Sequence, residues 1–507
     1  MNRQVEELAH ILRKHGLGKN QTIGLLVSNS DSAVIGLFAV LRIGACAVSL
    51  NPLLHPKEVV SLSKSTDVAG IFVTRRQYDL LVAESLDSYV PTLKKIVIVP
   101  EEAFSLQEIE IKDASIAQPC LDQPQTPTNG LSDEDNALIV YTSGTTGSAK
   151  AVVLTHKNLL EKSKAAVAIM NIVGSDRALM TLLMCHVFSL TRQLFPHFLQ
   201  GAVVHIISSS APADLLNYII DTQGITTFSG VPYHFSAMLA RGAGKKYPMR
   251  TLRLATSSSM RMRPALREEL VQALPHTSFS SQYGLTETSG FVTALLSELF
   301  ARKLDSVGRC IPGVDIKIAD FDAHRSLSAN AESVGELLVR GSGIMKCYYK
   351  NPEATAAVID SHGWLRTGDL ARIDPNGDVT IISRKKHLIK RAGEFIIPEE
   401  VEAIIARHDA VDEVCVFGIP DKDLGESVRA AVVLHDERAC KEDILNHCRE
   451  NLAEFKIPED IFFVDALEKT HIGKVNQKAI LKRYLASHEI VKRLGGASPT
   501  LLLNSEF

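Results

Sequence analysis

The stretch Tyr141-Thr-Ser-Gly-Thr-Thr-Gly-Ser-Ala-Lys150 is a run of hydroxyls and glycines set between two apolar segments, Ala137 to Thr142 and Ala151 to Thr155, which read as strands. A turn of this composition presents backbone N–H and side-chain O–H donors that suit a polyphosphate. It is not a Walker loop, which needs G-x-x-x-x-G-K-[ST] opening a helix, because here the chain continues as strand. A lone Gly/Ser/Thr run is more often a surface hairpin, so the surrounding sequence has to decide.

Downstream, helical periodicity over Lys157 to Ile169, Ala213 to Asp221 and Pro264 to Leu274 alternates with apolar runs at Ala202 to Ile207, Thr226 to Ser229 and Leu252 to Ala255. Upstream, Thr22 to Val27, Gly70 to Val73 and Lys95 to Val99 alternate with helical patterns such as Lys57 to Lys64. This alternation predicts an α/β fold of layered parallel sheets. Gln118 to Asn136, with Pro119, Pro124, Pro127 and Asn129-Gly130, reads as a surface connection. Further on, Gly335 to Val339 and a hairpin from Leu370 to Ile382, turned at Pro375-Asn376-Gly377, predict a β-rich subdomain. After Ser383 a basic run, Arg384-Lys385-Lys386-His387, leads into a helix, strand, strand, helix series. The expected organisation is a large N-terminal domain over 1–384, a small mobile α+β domain over 385–490 and a loosely ordered tail over 491–507.

The chain has 507 residues, 45% of them hydrophobic and 22% charged, with a formal net charge of −3. That length accommodates several cores, and the charge gives no basic field for nucleic acid, so anions must be met locally. The apolar stretch Ala33 to Leu54 is broken by Arg42 and ends at Asn51-Pro52, a buried helix leading into a strand and no membrane span. The eight cysteines are scattered without a C-x-x-C pair, which points to a reducing, cytoplasmic setting. Cys185 is expected to be a buried, inert thiol.

Other short patterns accompany the 141–150 run in order: Leu41-Arg-Ile-Gly-Ala45 with Leu50-Asn-Pro52, Tyr283-Gly-Leu-Thr-Glu287, Trp364-Leu-Arg-Thr-Gly-Asp-Leu370 and Gly473-Lys474. Together they resemble the acyl-adenylate-forming superfamily: acyl-CoA synthetases, luciferases and the adenylation domains of peptide synthetases. The resemblance spans the chain to about residue 485. It implies an ATP-dependent ligase that makes an acyl-AMP from a carboxylic acid and passes the acyl group to a thiol. A carboxylate is a poor electrophile, and AMP supplies the leaving group. Two anionic reactants must then be brought together, which demands cations and N–H donors where charge builds up.

By that resemblance Thr142, Ser143, Gly144, Thr145, Thr146, Gly147 and Lys150 would hold the phosphates, and Glu287 the Mg²⁺. Asp369 would accept the ribose hydroxyls, Arg384 would reach ribose or phosphate, and Tyr283 would lie on the adenine, with Ser257, Ser258, Ser259, Gln282, Gly284 and Thr286 completing the nucleotide site. Lys474 would bridge carboxylate and phosphate as the adenylation lysine, with Thr142, Glu287 and His186 as the other catalytic groups. Lys386 falls at the hinge position, and Lys390, Arg391 and Gly393 where relatives carry the thiol-transfer face. His186, Val187, Phe228, Gly230, Ser258 and Gly284 would line the acyl pocket.

Amino-acid-activating relatives place an aspartate near the position of His186, whereas Met184 to Phe195 contains no acid. The expected substrate therefore lacks a free α-amino group. Where relatives have S-G-G-A-P this chain has Thr256-Ser-Ser-Ser-Met260, which narrows and polarises that wall and favours a short or hydroxylated acid. The phosphate loop also ends Ser148-Ala-Lys-Ala151 in place of P-K-G. The expected acceptor is coenzyme A, with the phosphopantetheine arm of a carrier protein as the alternative. Relatives commonly carry several dozen residues before the helix at Val5, which implies either a partner or homo-oligomer contact at that end or a natural minimal variant.

Overall fold

The computed structural model describes residues 1–84, 90–101, 104–114, 130–142, 149–319, 334–436, 438–469 and 475–487. Two compact units divide the chain. One is Met1–Ile316 with Val339–Leu365, and the other is Lys317–Leu338 with the chain from Arg366 onward.

With strands numbered along the chain, the first unit holds a sheet of β1 (Thr22–Leu26), β2 (Cys46–Ser49), β3 (Val68–Thr74), β4 (Lys95–Val99), β5 (Glu110–Asp113), β6 (Asn136–Tyr141), β7 (Ala151–Thr155) and, at its edge, β17 (Cys347–Tyr348). Their spatial order is β17-β7-β6-β2-β1-β3-β4-β5. The central pairings β6-β2-β1-β3-β4 are parallel, and their apolar runs are buried on both faces, as parallel strands require. A second sheet contains β8 (Arg177–Met180), β9 (Val203–Ile206), β10 (Thr227–Gly230), β11 (Leu254–Ser257), β12 (Ser278–Leu285), β13 (Gly290–Leu295) and β14 (Arg309–Cys310), in the order β14-β13-β12-β11-β10-β8-β9. The helix His156–Met170 serves both sheets, with Leu159 in the core of the first and Ala166 packed with Phe291 and Ala294 of the second. The helix–strand alternation read from the sequence is realised here.

A third sheet runs β15 (Val314–Ala319), β16 (Gly335–Gly341), β18 (Leu365–Ile373) and β19 (Val379–Arg384). The second unit continues with β20 (Ile389–Arg391), β21 (Glu394–Ile396), β22 (Val411–Asp421), β23 (Gly425–Leu434) and β24 (Asp460–Phe463); the helices Pro398–Ile405 and Lys441–Asn451 close a core of Ile396, Val401, Val416, Val428 and Ile444, and the helix Gln477–Ser487 packs Ile480 and Tyr484 with Phe417 and Ala431 in a second one. Among the described residues no helix is long and apolar enough to cross a membrane.

Candidate active site

In the first unit the hydroxyl-rich run hangs from the antiparallel pair β6 and β7, in register with Tyr141 opposite Ala151. Thr142 N donates to Lys150 O at 3.0 Å, closing the neck of the loop. Ser143, Gly144, Thr145, Thr146 and Gly147 lie outside the described residues, as does Lys474. Lys150 projects from the neck with its Nζ 4.9 Å from the centre of the Tyr348 ring. The Tyr348 hydroxyl donates to Glu287 Oε1 at 2.9 Å, and Met345 N donates to Glu287 O at 2.8 Å.

A residue absent from the sequence-based set, Tyr348, thus joins the expected phosphate lysine to the expected metal carboxylate. Burial and the Glu287 charge both push its phenol up, so it remains a donor. The only trace in the sequence is its place on a two-residue edge strand paired to Val152.

Glu287 is the middle residue of a single 3-10 turn, Thr286–Thr288, after β12, and Tyr283 and Gly284 sit on that strand opposite Thr293 and Phe291 of β13. Gly284 is obligatory in this position, because a Cβ would run into Gly290 O and the Phe291 Cα. Thr286 is half-buried and accepts from Ser289 N at 3.0 Å. Ser257, at the end of the neighbouring strand, and Ser258 just after it are buried, and Ser258 Oγ donates to Gln282 O at 2.9 Å. Ser259 is exposed with φ of +72°, a left-handed conformation that costs a serine of order 1 kcal/mol relative to glycine. The strain therefore falls on Ser259, which stands where relatives have alanine, while the serine-for-glycine changes at Ser257 and Ser258 add bulk and polarity.

Val187 is buried, and His186, half-buried, immediately precedes the short helix that Val187 opens, without a side-chain capping bond to it. Gly230 lies opposite Ser257 across β10 and β11. Phe228 is enclosed in the core, edge-on to Phe235 at 5.6 Å. Burial pushes the Cys185 thiol up to about 12, consistent with an inert group.

The second unit holds Asp369 and Arg384, brought together where β18 pairs with β19. Arg384 Nε lies 2.7 Å from Asp369 Oδ1, whose carboxylate is almost fully buried. Gly368, at φ of +71°, makes the turn before it, and Glu336 braces that turn by accepting from Gly368 N at 3.3 Å and Arg366 Nη1 at 2.9 Å. Thr367 Oγ1 donates to Leu337 O at 2.7 Å and accepts from Asp369 N at 3.1 Å. Glu336 and Thr367 are supports that the sequence did not single out.

Lys386 and Lys390 are exposed. Arg391 is engaged, donating to Phe455 O at 2.7 Å and Glu459 Oε1 at 2.8 Å. The stretch is a tight hairpin in which Ala392 and Gly393 take φ of +50° and +87° between β20 and β21.

No group of three or more His, Cys, Asp or Glu arranged for a metal occurs among the described residues. A single carboxylate at Glu287, with one oxygen held by Tyr348, fits an octahedral Mg²⁺ bound mainly by phosphate oxygens and water.

The first unit thus groups Lys150, Tyr348 and Glu287 beside the ends of β6 and β7, and the second pairs a buried Asp369 with Arg384. The AMP-binding enzyme family pattern matches residues 1–349, and the pattern of the AMP-binding enzyme C-terminal domain matches residues 400–474. The chain belongs to this family and is an ATP-dependent, AMP-forming acid–thiol ligase of the acyl-CoA ligase type. It is 31% identical to a long-chain-fatty-acid–CoA ligase of Yersinia pestis, over 95% of this chain and 88% of that one. Among solved structures it is similar to the anthranilate–CoA ligase AuaEII bound to anthranoyl-AMP, at 25% identity and a TM-score of 0.78 over 96% and 91% of the two chains. It is also similar to the o-succinylbenzoate–CoA synthetase of Bacillus subtilis bound to its acyl-adenylate, at 26% identity and a TM-score of 0.75 over 94% and 91%.

Proposed function

We propose that this ligase activates a small carboxylic acid lacking an α-amino group as its acyl-AMP and transfers the acyl group to coenzyme A. The observation that carries the reading is the linked set Lys150, Tyr348 and Glu287 at the mouth of the hydroxyl-rich loop. A cation and a carboxylate held by one phenol suit a magnesium triphosphate, since the lysine meets phosphate oxygens while Glu287 takes the metal. When bound, the metal supplies charge neutralisation on the triphosphate. Asp369, oriented by Arg384, has the acceptor oxygens that two ribose hydroxyls need.

Lys474 is assigned to the space between the attacking carboxylate and the α-phosphate, where an ammonium offsets charge in the in-line transition state. The C-terminal domain, taken from residue 385, then contributes Lys474 to the first half-reaction and the Lys390–Gly393 hairpin to the second. The likeness to three CoA ligases supports coenzyme A over a carrier protein as acceptor.

The test is acid-dependent pyrophosphate release across a panel of aryl and aliphatic acids, followed by product analysis with coenzyme A or a holo carrier protein. Lys474→Ala is expected to lower the first step by about 10²-fold or more. Unchanged release in that variant would remove Lys474 from the chemistry, and acyl transfer to the carrier alone would displace coenzyme A.

A further inference from the structure

Arg192 lies in the π-helical stretch Leu190–Leu194 and is 1% exposed. Its hydrogen-bond partners among the described residues are uncharged. Nε donates to Gln282 Oε1 at 2.6 Å and Nη2 to Thr256 Oγ1 at 2.8 Å, while Nη1, equally buried, has no partner. The guanidinium stands over the Phe291 ring, 5.2 Å from its centre.

The same ring is approached by a second buried cation. Lys162, 2% exposed, donates from Nζ to Phe291 O at 2.8 Å, and no carboxylate pairs with it among the described residues. Burial alone pulls the guanidinium down to about 9 and the ammonium to about 7. Ser280, opposite Thr256 in register and so on the face that Arg192 covers, is buried with its hydroxyl unpartnered. Two sealed basic groups with no anion against them among the described residues, beside an unfilled hydroxyl, form an arrangement whose desolvation only neutral partners offset there.

Their surroundings say which ligand could offset it. Arg192 follows His186 and Val187 on one continuous segment, bonds Thr256 of the strand that leads into Ser258 and Gln282 of the next, and covers Phe291, which stands opposite Gly284. These are the elements assigned to the acyl group. We propose that Arg192 is the specificity-determining residue at the far end of the acyl subsite, where it pairs with a second carboxylate, so that the acid activated is a dicarboxylic acid.

This rests on the reading of the chain as an acid-activating ligase. One carboxylate of the substrate is adenylated, and the other stays ionised against Nη1, with Lys162 and Ser280 completing a positive, hydroxyl-lined end. An acid ending in a methyl group would leave the guanidinium unpaired and bury no charge to match it.

The experiment compares succinate, glutarate and adipate with butyrate, pentanoate and hexanoate in ATP-dependent pyrophosphate release by the full chain. For at least one length kcat/KM is expected to favour the dicarboxylate ten-fold or more, and Arg192→Met to lower that preference by about 10²-fold, the size expected when one partner of a buried charge pair is removed. A wild-type preference for monocarboxylates at every length overturns the proposal without any variant. So does an Arg192→Met protein that keeps the wild-type ratio.

Calorimetric binding of the same diacids to the wild type, Arg192→Met and Arg192→Lys separates this idea from the ligase reading. Absence of turnover with every acid would count against the ligase. Diacid binding that is lost in the methionine variant and partly kept in the lysine variant would still uphold the subsite, and equal binding by all three would end it.

Discussion

Glu287 was readable from the sequence because Tyr283-Gly-Leu-Thr-Glu287 is a contiguous pattern, whereas Tyr348, 61 residues away, reaches it only through an edge pairing with no periodic signal. The same holds for Arg192, whose strand partners lie 64 and 90 residues further on. Contiguous patterns announce the candidate ligand groups, but not the side chains that arrive from elsewhere to hold them. The two kinds should respond differently to substitution. Glu287→Gln removes the anionic ligand and is expected to cut acid-dependent pyrophosphate release by about 10²-fold, a loss that extra magnesium does not restore. Tyr348→Phe keeps the ring beneath Lys150 and removes only the hydrogen bond, worth about 1.5–3 kcal/mol to a charged acceptor. The half-saturating magnesium concentration should rise several-fold while the rate at saturation stays within a few-fold. A magnesium titration of both proteins decides it: indistinguishable curves would mean that Tyr348 does not orient the carboxylate.

The elements that the sequence made legible are those with local punctuation. The hairpin turned at Pro375-Asn376-Gly377 is one, since Gly377 takes φ of +83° and Asp374 Oδ1 accepts from the backbone N–H of Asn376 and Asp378. The β20–β21 hairpin was not legible as a hairpin, because Ala392-Gly393 is a weak turn signal, and the π-helical bonding over Leu190–Leu194 has no sequence signature at all. The helix His156–Met170 was legible, but its further duty was not. Asn158 completes the capping box with Thr155, and its buried Nδ2 donates to Ser342 O at 2.7 Å and Ile344 O at 3.0 Å, the turn from which Met345 holds Glu287. Asn158→Ala should cost about 2–4 kcal/mol, the sum of a lost cap and buried carbonyls left without a donor. Asn158→Asp retains the acceptor for Thr155 but sets an anionic oxygen against two carbonyls, so it should be no more stable than alanine. Denaturant midpoints test this, and recovery of stability by aspartate would show that only the cap matters.

At the scale of the whole molecule, the division into two units, each with its own core, makes stability a property with two separately titrating parts. In the first unit His197 is 2% exposed, with Nδ1 against Gln193 O at 2.6 Å and Nε2 against Thr227 Oγ1 at 2.8 Å. Burial, assisted by the nearby Arg192 and Arg253 charges and opposed by Asp176 and the Gln193 carbonyl, lowers it to about 4 from an ordinary 6.5. Because the folded imidazole stays neutral while the unfolded one takes up a proton, its contribution is complete above pH 6.5 and is lost as pH falls toward 4, by about 1.4 kcal/mol per unit or ~3 kcal/mol in all. In the second unit burial, with help from Glu399, raises Glu402 to about 7, against the pull of the Val416 N–H that its Oε1 accepts at 2.8 Å. That group works in the opposite sense, stabilising below pH 4.5 and losing its contribution as pH rises to 7. His387, lowered to about 4 mainly by burial, offsets part of it between pH 4.5 and 6.5. His197→Gln keeps one donor and one acceptor, so its stability deficit relative to the wild type should shrink by about 3 kcal/mol between pH 6.5 and 4. Glu402→Gln should compare best with the wild type near pH 7 and worst near pH 4.5. Denaturant unfolding of the three proteins at half-unit pH steps measures both slopes, and curves that run parallel to the wild type would mean that neither group changes its proton affinity on folding.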